Sequence, residues 1–245
     1  MSSSKIVIVG GHGNVSLRLA RLLTPTHSNV TSIIRSEEHK DDITAAGATP
    51  LLLSLEESPV SAFTEAFEGA YVVYFSAGAG GNGGEERTKA VDYEGAVKVF
   101  DAIEGVQGPK PRLILVSALD VRNPDVIPAH YTEADKQLAT RIRSRISAYM
   151  HWKYEADKNL AARTAFKWTM LRPGGLTNAP GVGTADIGRT HLTTTISRDD
   201  VAMALFLLLD REDAAGLGID IAGGQTPIAQ GLDEMIKKGE SDFLG

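Results

Sequence analysis

Tyr149 and Lys153 stand four residues apart in AYMHWKYEAD, residues 148–157, inside a stretch whose apolar spacing predicts a helix from Ile146 to Ala161. On a helical wheel Ile146, Tyr149, Met150, Leu160 and Ala161 share one face with Lys153 near its middle, while His151, Glu155 and Lys158 fall opposite. A lysine centred in an apolar stripe needs a compensating partner or loses its proton. Asp157, one turn further on, offers an ordinary ion pair, with the lysine stem covering apolar surface. The other reading is chemical. An ammonium beside a phenol favours phenolate and brings a tyrosine of ordinary pKa, about 10, toward working pH. Tyr149 would then be a proton donor or acceptor and Lys153 its tuner.

A second constellation lies near the N-terminus. VIVGGHGNVSLRLARLL places Gly10, Gly11 and Gly13 directly after a β-branched run, with Ser16 where a further glycine would complete a G-x-x-G-x-x-G pattern. Small residues there allow a tight strand-to-helix turn, and the unpaired N–H groups of the helix attract a pyrophosphate. The loop from Gly10 through His12, Gly13 and Asn14 to Val15 is therefore expected to bind a dinucleotide, with Lys153 reaching its ribose hydroxyls. IIRSEEHKDD then bears on which dinucleotide: Arg35 offers a planar cation, and Ser36 a hydroxyl, for a 2'-phosphate. Glu37 and Glu38 are the carboxylates that could bind the ribose of NAD(H) instead. NADP(H) is the expected cofactor, with NAD(H) left open.

These residues need a frame. Lys5 to Val9, Val30 to Ile34, Pro50 to Leu55, Tyr71 to Phe75, Leu113 to Val116 and Trp168 to Leu171 are short apolar runs, and helix-compatible segments, Asn14 to Leu23 among them, lie between most of them. Such alternation predicts an α/β fold, a doubly wound, mainly parallel Rossmann sheet formed by a single domain over residues 1–245. From about Gly174 the alternation weakens, which predicts a small C-terminal substrate lobe over the sheet's carboxyl edge. Ser58-Pro59, Ser197, Thr226-Pro227 and Thr132 are candidate helix caps. SAGAGGNGGEE, residues 76–86, follows an apolar strand directly, as expected where backbone must approach a ligand closely.

Composition excludes several functions. The chain has 245 residues and a formal net charge of -6, which gives no global basic field for nucleic acid. It has no cysteine, so disulfides, thiolate catalysis and Cys-ligated zinc are excluded, and its six histidines show no metal-ligand spacing. The opening MSSSKIVIVGG has neither a membrane-length apolar run nor a signal-type pattern. A cytoplasmic protein acting on a small-molecule substrate is expected, without nucleic-acid or membrane partners; self-association is left open.

The chain resembles the short-chain dehydrogenase/reductase superfamily, specifically its atypical and extended NAD(P)-binding members of the NmrA-like or epimerase/dehydratase-like kind. The likeness covers nearly the full length and rests on GGHGNVS, IIR, VVYFSAGAGG, LILVSALD, YMHWK and MLRPGGLTN. It implies that Ser76, Ala77, Gly78 and Ala79 line the cofactor ribose and pyrophosphate, that Ser54 and Leu55 lie near the adenine, and that Pro173, Gly174, Gly175 and Leu176 pass beside the nicotinamide. It also implies a catalytic serine at or just beyond the fifth strand. Ser117, one or two positions early, either polarises substrate or merely ends a strand with a backbone hydrogen bond. The implied activity is hydride transfer to or from a small carbonyl or alcohol, with Tyr149, Lys153 and Ser117 as the catalytic set. The alternatives are a non-catalytic NmrA-like sensor and a sugar epimerase or dehydratase.

Overall fold

Apolar runs too short for helices form the spine of the protein. The computed structural model describes residues 3–80, 83–192 and 194–244. In it β1 (Lys5–Val9), β2 (Val30–Ile34), β3 (Thr49–Leu52), β4 (Ala70–Phe75), β5 (Arg112–Val116) and β6 (Trp168–Pro173) pair in parallel in the spatial order β3, β2, β1, β4, β5, β6. Alternate residues of β1 point to opposite faces, so Ile6 and Ile8 enter one core and Val7 and Val9 the other. On the first face lie α1 (Asn14–Leu23) and the short α2 (Lys40–Ala45). On the second lie α3 (Val60–Phe67) and a long interrupted helix. That helix starts as α4 (Gly84–Thr88), passes through a π-helical turn (Lys89–Glu94) and continues as α5 (Gly95–Gly105). Burial on both faces explains why these strands read as continuous apolar runs.

After β5 the chain makes a loop and then α6 (Glu133–Arg145), which Thr132 caps as expected: Asp135 N donates to Thr132 Oγ1 at 3.2 Å, and Asp135 Oδ2 accepts from Thr132 N at 2.9 Å. α7 (Ser147–Ala161) follows and buries Met150, Lys153, Ala156, Asp157 and Leu160 toward the second core. Ile146 stays exposed.

The last quarter divides between two jobs. β7 (Gly175–Thr177) pairs with β9 (Thr195–Ser197) in a separate two-stranded sheet, while β8 (Thr184–Ile187) and β10 (Gly218–Pro227) extend the main sheet beyond β6. β8 is antiparallel to β10. α8 (Arg198–Leu207) packs on α1, and α9 (Ile228–Lys238) closes the first core. Ser197 caps α8, accepting from Asp200 N at 2.9 Å. The other two proposed caps shift by one residue: Pro59 and Pro227 occupy the capping positions themselves, with no side-chain cap. The Ser58 hydroxyl instead accepts from Ser54 N at 3.0 Å and holds the preceding turn. Of the glycine-rich stretch after β4, Gly81 and Asn82 lie outside the described residues.

Candidate active site

The strand order reverses between β1 and β4, and at their carboxyl ends a cleft of about 280 Å³ opens. Gly10, Gly11, His12 and Gly13 form its floor, Arg35 and Leu55 one side, and Ser76, Ala77, Gly78 and Ala79 the other. Gly10 has φ +78°, and a Cβ there would lie 2.6 Å from the Ala77 backbone; a Cβ on Gly11 would lie 2.6 Å from Ser32 Cβ. The loop can therefore lie flat between β2 and β4 only because these side chains are missing. α1 begins behind it with no side-chain cap and no acid in its first turn, which leaves its N–H groups for an anion. Ser16 is fully buried with its hydroxyl unpartnered, close behind Gly13. A glycine cradle, an uncapped helix start and the apolar walls of Ile33, Leu53 and Val91 fit a dinucleotide.

Nine residues expected at the cofactor do not line this cleft: Asn14, Val15, Ser36, Ser54, Lys153 and the four from Pro173 to Leu176. Asn14 is exposed and its carbonyl accepts from Arg18; Val15 is buried in the first core. Ser36 precedes the turn Glu37–His39, and the Ser54 hydroxyl accepts from Glu57 N at 3.2 Å. Pro173 to Leu176 lie at the end of β6 and in β7, beyond β5 and outside the cleft. Arg35 reaches it with Nη1 3.7 Å from Glu56 Oε2, and Arg87 and His39 add further basic side chains that sequence patterning did not pick out.

Next to Ala79 the cleft meets the second constellation. Ala79 N donates to Asp92 Oδ2 at 2.9 Å, and Asp92 Oδ1 lies 3.7 Å from Lys153 Nζ. Lys153 also donates to the Val116 carbonyl at 3.1 Å. Both Asp92 and Lys153 are buried, and Gly78 makes room, since a Cβ on it would lie 3.0 Å from Asp92 Oδ1. The partner of Lys153 is thus Asp92, from the π-helical turn, and not Asp157. Asp157 accepts instead from the Ser117 hydroxyl, Oγ to Oδ2 at 2.5 Å. Ser117 is itself buried at the end of β5, its proton committed to that carboxylate.

These contacts set the charges. Burial would strip the Lys153 proton, but Tyr149, Asp92 and Asp157 together hold its pKa above the usual lysine value. Tyr149 moves opposite to the sequence-based expectation. Burial pushes its phenol up, and Asp92 and Asp157 push the same way, outweighing the pull of Lys153. Asp157 is pushed up to about 6 by burial, against the field of Arg172, the hydrogen bond from Ser117 and the field of Lys153. At neutral pH the arrangement is a neutral phenol beside a charged ammonium, a proton donor whose pKa the ammonium lowers without overcoming burial and the carboxylates.

Fold and site together define a Rossmann-type dinucleotide-binding protein. A family model described as NAD(P)H-binding matches residues 10–212, and the chain belongs to that family. It is 36% identical over 243 residues to UPF0659 protein C216.03 of Schizosaccharomyces pombe, covering 97% of each chain. It is 35% identical over 233 residues to the uncharacterized sugar epimerase YhfK of Bacillus subtilis, covering 94% of this chain and 100% of that one. A solved structure of a putative NAD-dependent epimerase/dehydratase from Bacillus halodurans superposes with a TM-score of 0.79 at 27% identity, over 95% of this chain and 100% of that one. The atypical short-chain dehydrogenase/reductase resemblance read from the motifs agrees with the family model and with the B. subtilis and B. halodurans proteins.

Proposed function

We propose that the protein is an NADPH-dependent reductase of small carbonyl compounds in which Tyr149 delivers the proton. The observation that carries this reading is the buried run inward from the cleft wall, Ala79 N to Asp92 and Asp92 to Lys153, with the Lys153 charge acting on the half-buried Tyr149. The Gly10 to Gly13 loop and Arg35 would hold NADPH, which when bound would supply the hydride for the carbonyl carbon. Tyr149, kept neutral by burial, gives its proton to the carbonyl oxygen, and the Lys153 ammonium stabilises the phenolate that remains. Asp92 holds that ammonium in place. Ser117, donating to Asp157, ties the end of β5 to α7 beside Lys153. Arg35, at the end of β2 with half its side chain exposed, is the residue that would favour the 2'-phosphate.

A second reading, reversible oxidation in a sugar epimerase or dehydratase, draws on the names of the B. subtilis and B. halodurans relatives. The two separate in one experiment. NADPH oxidation is followed against a panel of aldehydes, ketones and quinones, with nicotinamide fluorescence as the binding control. Stoichiometric oxidation with any member supports the reductase. NADPH binding with no oxidation by any member refutes it, in favour of an epimerase or of an NmrA-like sensor.

A further inference from the structure

Two histidines meet face to face at the Arg35 side of the cleft. His12, in the loop after β1, and His39, in the turn after β2, stack with ring centroids 3.6 Å apart and planes within 4° of parallel. Both rings line the cleft together with Arg35. His12 Nε2 lies 2.8 Å from Asp42 Oδ2 on α2, and because an ionised carboxylate only accepts, that nitrogen carries the proton. His39 has the stack as its contact and no protein hydrogen bond at its ring nitrogens among the described residues.

The charges around the pair are mixed. Arg35, Arg87 and Glu56 face the same cleft, with Arg35 and Glu56 3.7 Å apart. On the turn and α2, Glu37 pairs with Lys40 at 2.6 Å, Asp42 holds His12, and Glu38 and Asp41 are exposed. Two stacked imidazolium rings would repel, whereas one imidazolium over a neutral imidazole is attractive. An approaching dianion would favour a proton on the pair, and His39, whose ring nitrogens make no protein hydrogen bond among the described residues, is where that proton can reach the anion.

We propose that the His12 and His39 stack is the second half of the 2'-phosphate site, holding the phosphate with Arg35 by taking up a proton as NADPH binds. This rests on the NADPH reading above and adds to it a pH-dependent selectivity: preference for NADPH over NADH rises as pH falls through the histidine range. A phosphomonoester's own second ionisation, near pH 6, acts in the opposite sense at lower pH. Because the ligand is the same for every variant, comparing variants removes that contribution.

The test is titration calorimetry of NADPH and NADH from pH 6.5 to 8, in phosphate-free buffers of different ionisation enthalpy, which counts protons exchanged on binding. NADPH should take up more of a proton than NADH. The NADPH-to-NADH affinity ratio should then rise by up to about tenfold per unit fall in pH as the excess approaches one proton. His39→Asn should remove the excess uptake and lower the ratio by about tenfold, the scale of one charged hydrogen bond. His39→Lys should keep a high ratio and lose its rise at lower pH, leaving only the phosphate's own opposite dependence, because its cation does not titrate in this range. Excess proton uptake that survives in both His39→Asn and His12→Asn overturns the inference while leaving NADPH preference standing. Equal affinity of the wild type for the two cofactors overturns both.

Discussion

Replacing Asp92 by asparagine tests the buried pair with almost no change of shape. The asparagine oxygen can still accept from Ala79 N, as Asp92 Oδ2 does at 2.9 Å, but its NH₂ group then faces the Lys153 ammonium, donor against donor. Two unit charges 3.7 Å apart interact by about 4 kcal/mol at an effective dielectric of about 20. Not all of this is lost, because the Val116 carbonyl still accepts from Lys153 at 3.1 Å and Asp157 still contributes its field. Removing one partner of a buried pair typically destabilises by about 3–5 kcal/mol, so a cost near the low end, about 3 kcal/mol, follows. At roughly 2–4 °C per kcal/mol for a chain of this size, Tm should fall by about 6–12 °C. Function should shift as well. Asp92 is one of the groups that raise the Tyr149 pKa, so its neutralisation lowers it, and the alkaline limb of the turnover profile moves to lower pH. The assay is thermal unfolding with a pH profile of NADPH oxidation on wild type and Asp92→Asn. An unchanged Tm together with an unchanged alkaline limb would refute the assigned pairing.

Arg35→Asp sets a carboxylate where a 2'-phosphate would lie and should weaken NADPH by on the order of tenfold or more while affecting NADH far less, as measured by fluorescence titration; equal losses for both cofactors would remove Arg35 from that role. The interior carboxylates give a stability signature. Burial raises Asp157 to about 6 and Asp220 to about 7, against the field of the Arg172 guanidinium that both face. Their native pKa values exceed the unfolded value of about 3.9, so the native state binds the extra protons and stability falls as pH rises from about 4 to about 7. Asp220→Asn should flatten that slope in Tm measured across the window, and an unaltered slope would contradict it.

Much of the fold was legible because its signals are local. β1, α1 and β2 carry uninterrupted apolar runs or clean helical spacing, and their observed limits coincide with the sequence reading. β10 was not legible: GIDIAGGQTP mixes a buried half with glycines, and its membership of the sheet depends on pairing with β6, whose start lies fifty residues earlier. The Ser58-Pro59 and Thr226-Pro227 caps slipped by one position because a proline before a helix is compatible with either the capping or the first helical site. At the site, the place of the glycine loop after β1 and of Lys153 on the inner face of its helix could be read from spacing alone. Asp92 could not. It lies in a π-helical turn that breaks the helical period, and its partners come from a loop and from a helix far along the chain. An acid inside the otherwise apolar face of KAVDYEGAVKVF was the available clue. The direction of the Tyr149 shift also escaped, because Lys153 was visible in the sequence while the opposing burial and carboxylates belong to tertiary structure.

Single-turnover oxidation of NADPH, with the best carbonyl found in the panel, addresses the central claim most directly when wild type is compared with Tyr149→Phe. The substitution removes one hydroxyl and leaves the ring, so cofactor affinity should stay near wild type. The rate should fall by roughly 10²- to 10⁴-fold, the loss typical of a positioned proton donor. A Tyr149→Phe variant that binds NADPH and reduces the carbonyl at the wild-type rate would contradict the account and leave Tyr149 and Lys153 as neighbours on a helix.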